Sequence, residues 1–233
     1  MTIVALVDCE STGLSATDEP IAIGIILGEV GDAGQWAELD CWSGYQEPGV
    51  PINPMAQRVH GLKLQDLKGK RFDLEKLGVM LTKADVLIAH NANFDARMLA
   101  RVIPVVTKKG WRCSYRQWPW PKMERKRLDD VCSHFGIERP EQHDALADAR
   151  ALLDALNRRT GKTERSMTYM QRLLRKTPYV PNTSPPRARS NASAGEALTM
   201  RDWGYVFGSL SFGTQAKMIL VLVFVIFAFS QCT

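Results

Sequence analysis

The chain opens on an apolar run, Ile3-Val-Ala-Leu-Val7, that turns acidic at Asp8 and Glu10 and then meets the breaker Ser11-Thr12-Gly13. A short continuous apolar run closed by such a breaker predicts a buried strand that ends in a loop. Side chains alternate along a strand, so Asp8 and Glu10 share a face while Cys9 points into the opposite packing layer. The pair is either a cation site or the exposed acids of an edge strand. Two adjacent carboxylates repel unless cations neutralise them, and an all-oxygen carboxylate set suits Mg²⁺ or Mn²⁺. The pattern repeats at Val86-Leu-Ile-Ala89, where an apolar strand runs into the polar turn His90-Asn-Ala-Asn93 and a helix follows. Phe94, Met98 and Leu99 give that helix its apolar stripe. Asp95 falls in its first turn, where the macrodipole favours an anion, so it is a helix-start residue or a ligand. In the third stretch Asp144 can cap an Ala/Leu-rich helix whose packing stripe is Leu146, Ala149, Leu153 and Leu156. Asp148 lies roughly opposite Leu146 on the helical wheel, and His143 precedes the cap, so both can overhang the end of a neighbouring sheet.

Further strands are expected over Ile21–Leu27 and Trp36–Trp42, and a capped helix leading into a loop over Asn53–Leu62. Apolar strands alternating with Ala/Leu-rich helices indicate an α/β fold. Glu164–Lys176 reads as a short basic amphipathic helix with Met167, Met170, Leu173 and Leu174 on one face.

Val7-Asp8-Cys-Glu10-Ser11-Thr12-Gly13, Ala89-His90-Asn91-Ala-Asn-Phe94-Asp95 and His143-Asp-Ala-Leu-Ala-Asp148 together resemble the three motifs of the DEDDh branch of the DnaQ-like 3′→5′ exonucleases, a family that includes polymerase proofreading subunits. The resemblance spans roughly residues 1–158. It implies a ribonuclease H-like mixed sheet flanked by helices. Asp8, Glu10, Asp95 and Asp148 are similar to the family's ligands for two ions, Mg²⁺ or Mn²⁺, with Asp8 the best placed to bridge them. His143 takes the position of the general base, since an imidazole with an ordinary pKa near 6.5 is largely unprotonated at neutral pH. The implied reaction is in-line hydrolysis at a 3′ end that releases nucleoside 5′-monophosphates. Ser11, Thr12, Asn91 and Phe94, together with His60, Gly61 and Leu62, resemble the family's segments beside the bound 3′ end; for His60 an ordinary capped helix is the equal alternative.

Composition changes this picture little. A 45% hydrophobic content is that of a globular protein with a core, and a formal charge of +5 suits a polyanionic partner. The distribution of charge says more. Lys108, Lys109, Arg112, Arg116, Lys122, Arg125, Lys126 and Arg127 are interleaved with Trp111, Tyr115, Trp118 and Trp120. Such a segment either holds a single strand, cations on phosphates and rings on bases, or is a basic loop with its tryptophans in the core. Trp111, Arg112 and Trp118 are its candidate contacts. Single-stranded DNA is the favoured partner and RNA the alternative, because nothing in the sequence shows what surrounds a ribose 2′-OH. A non-catalytic nucleic-acid-binding or polymerase-adaptor module is the other class of function, and the complete carboxylate set with His143 favours the enzyme. No polymerase domain fits in the chain, so a proofreading role in DNA replication, as opposed to free DNA repair, requires a separate polymerase subunit.

The five cysteines show no Cys-x-x-Cys pairing, and the N-terminal apolar run is interrupted before a signal peptide could form, which points to reduced thiols in a cytoplasmic setting. Residues 159–200 read as the basic helix followed by a Pro/Ser/Arg-rich linker. Residues 201–233 form an apolar tail in which Met218–Phe229 carries no charge. This block is short against the roughly 20 residues that span a bilayer. It either anchors the protein at the inner face of a membrane, with Lys217 snorkelling, or packs as a buried or interfacial segment.

Overall fold

The N-terminal apolar run becomes the central strand of a mixed sheet. The computed structural model describes residues 1–139, 143–163 and 165–184. Its strands are β1 (Thr2–Ser11), β2 (Pro20–Val30), β3 (Trp36–Tyr45), β4 (Val86–Ala89) and β5 (Gly110–Cys113), in spatial order β3-β2-β1-β4-β5. β1 pairs antiparallel with β2, and β2 with β3, while β4 and β5 run parallel to β1. The parallel strands connect through helices, which cover both faces of the sheet. In chain order these are α1 (Pro54–His60), α2 (Leu64–Leu67), α3 (Leu74–Lys83), α4 (Ala92–Val102), α5 (Leu128–Phe135), α6 (Ala145–Asn157) and α7 (Tyr169–Leu174), with a 3₁₀ turn at Pro104–Lys108.

Alternation along β1 divides the core. Ala5, Val7 and Cys9 pack with Leu77 and Leu81 of α3 and Met98 and Leu99 of α4. Val4 and Leu6 face the other way, onto Ala149, Leu152 and Leu156 of α6 and Met170 and Leu173 of α7. Asp8 and Glu10 continue the Val4–Leu6 face, so the strand aims both carboxylates toward α6.

α6 can approach this closely because of a glycine. Gly24 on β2 stands opposite Asp8 in the strand register. A Cβ there would lie 2.3 Å from the Leu146 nitrogen and 2.4 Å from the Ala145 carbonyl carbon. The first turn of α6 therefore rests directly on the sheet backbone. Asp144 caps this turn as expected, its Oδ1 accepting from the amides of Leu146 (3.1 Å) and Ala147 (2.9 Å).

Beyond α6 the chain stays on the domain. The amphipathic helix is shorter than the expected 164–176, because Thr168 accepts a capping bond from the Gln171 amide and starts the helix at Tyr169. Tyr169, Met170 and Leu173 are buried. The backbone amide of Tyr179 then donates to the Trp111 carbonyl (2.9 Å), extending the β5 edge, and its hydroxyl donates to Asn93 Oδ1 (2.8 Å). Packing thus continues past residue 158, where the motif resemblance ends. The apolar block at 218–229, with its membrane-anchor alternative, and most of the Pro/Ser/Arg-rich linker lie outside the described residues. Among the described residues no helix is long and apolar enough to cross a membrane. Cys9, Cys113 and Cys132 are buried and Cys41 is exposed, all as free thiols.

Candidate active site

Parallel β1 and β4 end on the same edge of the sheet, and the chemistry gathers there. β1 delivers Asp8 and Glu10 at its C-terminal end. β4 runs into His90 and Asn91, and α4 then starts, carrying Asp95 in its first turn. Asp95 is buried, and its Oδ1 accepts from the Cys9 amide at 3.1 Å, which ties the helix start to the strand between the two acidic residues. α6 supplies Asp148 from its first turn, and His143 stands just before the cap. His143 has φ +66°, in the left-handed region that side chains other than glycine seldom adopt. One ligand atom each from Glu10, His143 and Asp148 fall within 4.8 Å of one another.

The electrostatics of this cluster are those of carboxylates crowded away from water. Burial, then the charges of Asp95, Asp148 and Glu10, pushes the Asp8 carboxyl well above its ordinary range. Burial likewise raises Glu10, followed by the effect of Asp148 and Asp95, and burial raises Asp95 against the hydrogen bond from Cys9. Asp148 is also raised by burial, opposed by Arg139. Glu10 Oε2 is buried and has no hydrogen-bond partner among the described residues. An orphaned carboxylate oxygen among mutually repelling acids fits a divalent cation: oxygen ligands and surplus negative charge are what Mg²⁺- and Mn²⁺-type ions require. Burial, and then the positive charge of Arg139, lowers the imidazole pKa of His143, so the ring is neutral at physiological pH.

Three further residues shape the site, and of these only His90 lies within a motif. Gly24 admits α6. Arg139 is buried and forms ion pairs with both Asp129 and Asp148. His90 braces the turn before α4, its Nε2–H donating to the Lys126 carbonyl (2.9 Å) and its Nδ1 accepting from the Ser114 hydroxyl (2.8 Å). Burial holds this ring at a pKa of about 4. Gly24 could have been suspected as the only break in the side-chain run Ile21–Leu27.

The expected substrate contacts divide. His60 and Leu62 line a cavity of about 240 Å³ with Tyr45, His143 and Asp144, directly beside the acidic cluster. His60 is neutral, held by burial at a pKa of about 4, and its Nδ1 accepts from the Leu62 amide at 3.0 Å. Gly61 closes α1 with φ +73°. Ser11 and Thr12 are enclosed: the Ser11 hydroxyl donates to the Gly13 carbonyl (2.7 Å), and that of Thr12 to Asp18 (2.8 Å), shaping the loop after β1. Asn91 stands at the N-cap position of α4 without a side-chain capping bond, and Phe94 is buried in the core.

The basic and aromatic segment divides: Trp111, Arg112 and Trp120 are buried, while Lys108, Arg116, Lys122, Arg125 and Lys126 are exposed. Trp111 lies on β5, 1% exposed, with its Nε1–H donating to the Val106 carbonyl at 3.0 Å. Arg112 is buried and donates to the carbonyls of Trp111 (2.9 Å) and Leu174 (3.2 Å). Both side chains thus lie inside the domain, where the sequence reading expected contacts with a strand. β5 is covered on both sides, by the 3₁₀ turn and by α7 with its C-terminal extension. Trp120 is also buried, against Phe135 and Tyr169. Trp118 is half-buried, its Nε1–H donating to the Pro121 carbonyl (2.9 Å), with the Lys126 ammonium 5.1 Å from its ring centre.

The fold and site define a ribonuclease H-like protein with an acidic cluster and a histidine at the open edge of its parallel strands. Residues 6–156 match the RNase_T exonuclease family, and the chain belongs to that family, in its DnaQ-like, DEDDh branch. It is 30% identical over 153 residues to the PolC-type DNA polymerase III of Thermotoga petrophila, a stretch covering 62% of this chain and 11% of that protein. With the PolC-type polymerase of Halalkalibacterium halodurans it shares 27% identity over 184 residues, 71% of this chain and 12% of the relative. The chain therefore spans only about a tenth of the length of these relatives. Among solved structures it resembles Escherichia coli exonuclease I in a zinc-bound complex with single-stranded DNA, with a TM-score of 0.57 at 16% identity over 67% of this chain and 40% of that one. The same enzyme with a dA16 oligonucleotide gives a TM-score of 0.55, also at 16% identity and the same coverage.

Proposed function

We propose that this protein is a divalent-metal-dependent hydrolase that removes nucleotides one at a time from the 3′ end of single-stranded nucleic acid, DNA in preference to RNA, and releases 5′-monophosphates. The observation that carries this reading is the buried convergence of Asp8, Glu10, Asp95 and Asp148 with a neutral His143. Membership of an exonuclease family supports it, and exonuclease I, whose fold the chain shares, is known in complex with single-stranded DNA. The four carboxylates would hold two ions, Mg²⁺ or Mn²⁺. Such ions, when bound, supply an activated nucleophile and charge compensation for in-line phosphoryl displacement.

The remaining chemistry belongs to the chain. Asp95, fixed through the Cys9 amide, and Asp148, fixed on α6, set the spacing of the cluster relative to β1. His143 offers an unprotonated imidazole nitrogen to accept the proton of the attacking water, because burial and Arg139 keep the ring neutral. The cavity lined by His60, Leu62 and Tyr45 also borders His143 and would receive the terminal nucleotide. A role in DNA repair or in proofreading beside a separate polymerase subunit fits this activity.

The test is digestion of 3′- and 5′-labelled single-stranded DNA and RNA by the purified chain in Mg²⁺, Mn²⁺ or EDTA. A ladder shortening from the 3′ end, abolished by EDTA and by Asp8→Ala, is expected. Digestion that survives both would overturn the reading. The apolar tail is proposed to set location only: a chain ending near Gly195 should remain active, and the full chain should sediment with membranes. A full chain that stays monomeric without detergent would refute the anchor.

A further inference from the structure

The acidic cluster is accompanied by a cation supplied by the protein itself. Arg139 follows α5, and its side chain is 4% exposed. Its guanidinium is divided between two acids: Nη1 pairs with Asp129 from the first turn of α5, and Nη2 with Asp148 Oδ1 from the first turn of α6. Its Nε is buried and has no partner among the described residues. Asp148 belongs to the proposed ligand set, and Asp129 does not. The positive charge of Arg139 reaches further, lowering the carboxyl pKa values of Asp8, Glu10 and Asp148 against their burial.

A planar guanidinium fork is best satisfied by one carboxylate gripped through two nitrogens. Here it is spread over two, one nitrogen each. A buried guanidinium with no counter-charge is strongly unfavourable, so Arg139 can release Asp148 only if another carboxylate is at hand. Asp129 is that carboxylate, and the unused Nε gives it a second donor to accept.

We propose that Arg139 and a divalent ion compete for Asp148, and that Asp129 is the reserve counter-ion that lets the guanidinium yield it. Arg139 is then a positioning residue that sets metal affinity. It neutralises Asp148 when no ion is held and retreats onto Asp129 when one arrives. This rests on the proposed role of Asp148 as a ligand.

The competition makes a prediction that simple structural support does not. Removing Asp129 leaves Arg139 with Asp148 alone and strengthens its hold, whereas removing Arg139 frees Asp148 for the ion. Mn²⁺ titrated calorimetrically into the full, EDTA-stripped chain reads this without reference to hydrolysis. Asp129→Asn should weaken Mn²⁺ binding by about tenfold or more, equivalent to about 1.4 kcal/mol. Arg139→Met should tighten it, and the double variant should follow Arg139→Met. Arg139→Gln, also neutral but able to hydrogen-bond, should shift affinity in the same direction and serves if the Met variant does not fold. If both single substitutions weaken binding, Arg139 merely braces Asp148 and the competition is refuted. An Asp129→Asn variant with unchanged affinity also refutes it. Failure of the unmodified chain to bind Mn²⁺ would overturn the ligand assignment and the competition together.

Discussion

Replacing Glu10 by Gln should make the metal-free protein more stable while removing its activity. The side chain is 3% exposed, one of its oxygens has no partner, and its ligand atom lies within 4.8 Å of one on Asp148. Two unit charges at that distance repel by about 3.5 kcal/mol at an effective dielectric of about 20. Proton uptake by the raised carboxyls, and Arg139 on Asp148, relieve part of this. Gln also leaves a buried amide to satisfy. A net gain of about 1–3 kcal/mol remains, or roughly 2–4 °C in melting temperature per kcal/mol for a domain of this size. Mg²⁺ should reverse the order. An ion present at 100 times its Kd stabilises the native protein by about 2.7 kcal/mol, and the variant loses most of that. The pH dependence has a definite sign. The folded carboxyls titrate above their unfolded values, so their contribution is fully favourable below the unfolded pKa and is lost as pH rises through the folded one. In EDTA the parent chain should therefore gain stability on moving from pH 8 to pH 6, and the Gln variant should gain less. Thermal melts at both pH values, with EDTA or Mg²⁺, decide the matter. A variant less stable than its parent in EDTA, or equal stabilisation of both by Mg²⁺, would refute the reasoning.

Gly24→Ala should push the first turn of α6 off the sheet, because its Cβ would meet backbone atoms at 2.3–2.5 Å; activity should fall with a melting loss, and unchanged kinetics would show that α6 does not need this contact. His143→Ala should lower turnover by roughly 10²–10⁴-fold with little change in Mn²⁺ affinity. The acid limb of kcat/KM in the parent should lie below 6.5, since the base is active only when neutral and its pKa is lowered; a limb above 6.5 would exclude His143 as that base. Trp111→Ala should destabilise the fold by about 3–5 kcal/mol, the usual range for emptying a buried aromatic site. Weaker strand binding by that variant at an unchanged melting temperature would instead restore a role on the surface.

Sequence reasoning reached furthest where local pattern and tertiary role coincide. β1 with its acidic end, the strand leading to Asp95, and the Asp144 cap with the α6 stripe are each written in neighbouring residues, because burial on both faces demands an apolar run and a helix start demands a cap. Trp111 and Arg112 were ambiguous for a physical reason. A four-residue edge strand is too short to show a period, and the α7 extension that packs against it comes from a distant part of the chain. Arg139 was invisible for a related one: a single arginine after a helix has no pattern, and its meaning comes from Asp129 and Asp148 arriving from two different helices. The start of α7 was displaced because hydrophobic spacing extended the helix upstream, while the Thr168 cap determined where it begins.

The docking of Tyr179 also fixes a geometry of reach. Asn93, which accepts from both the Tyr179 hydroxyl and the Asn182 amide, lies two positions before Asp95 in the same helix. The described C-terminal segment is thus moored next to the acidic cluster. Loosening this strap would therefore be felt at the start of the helix that carries Asp95.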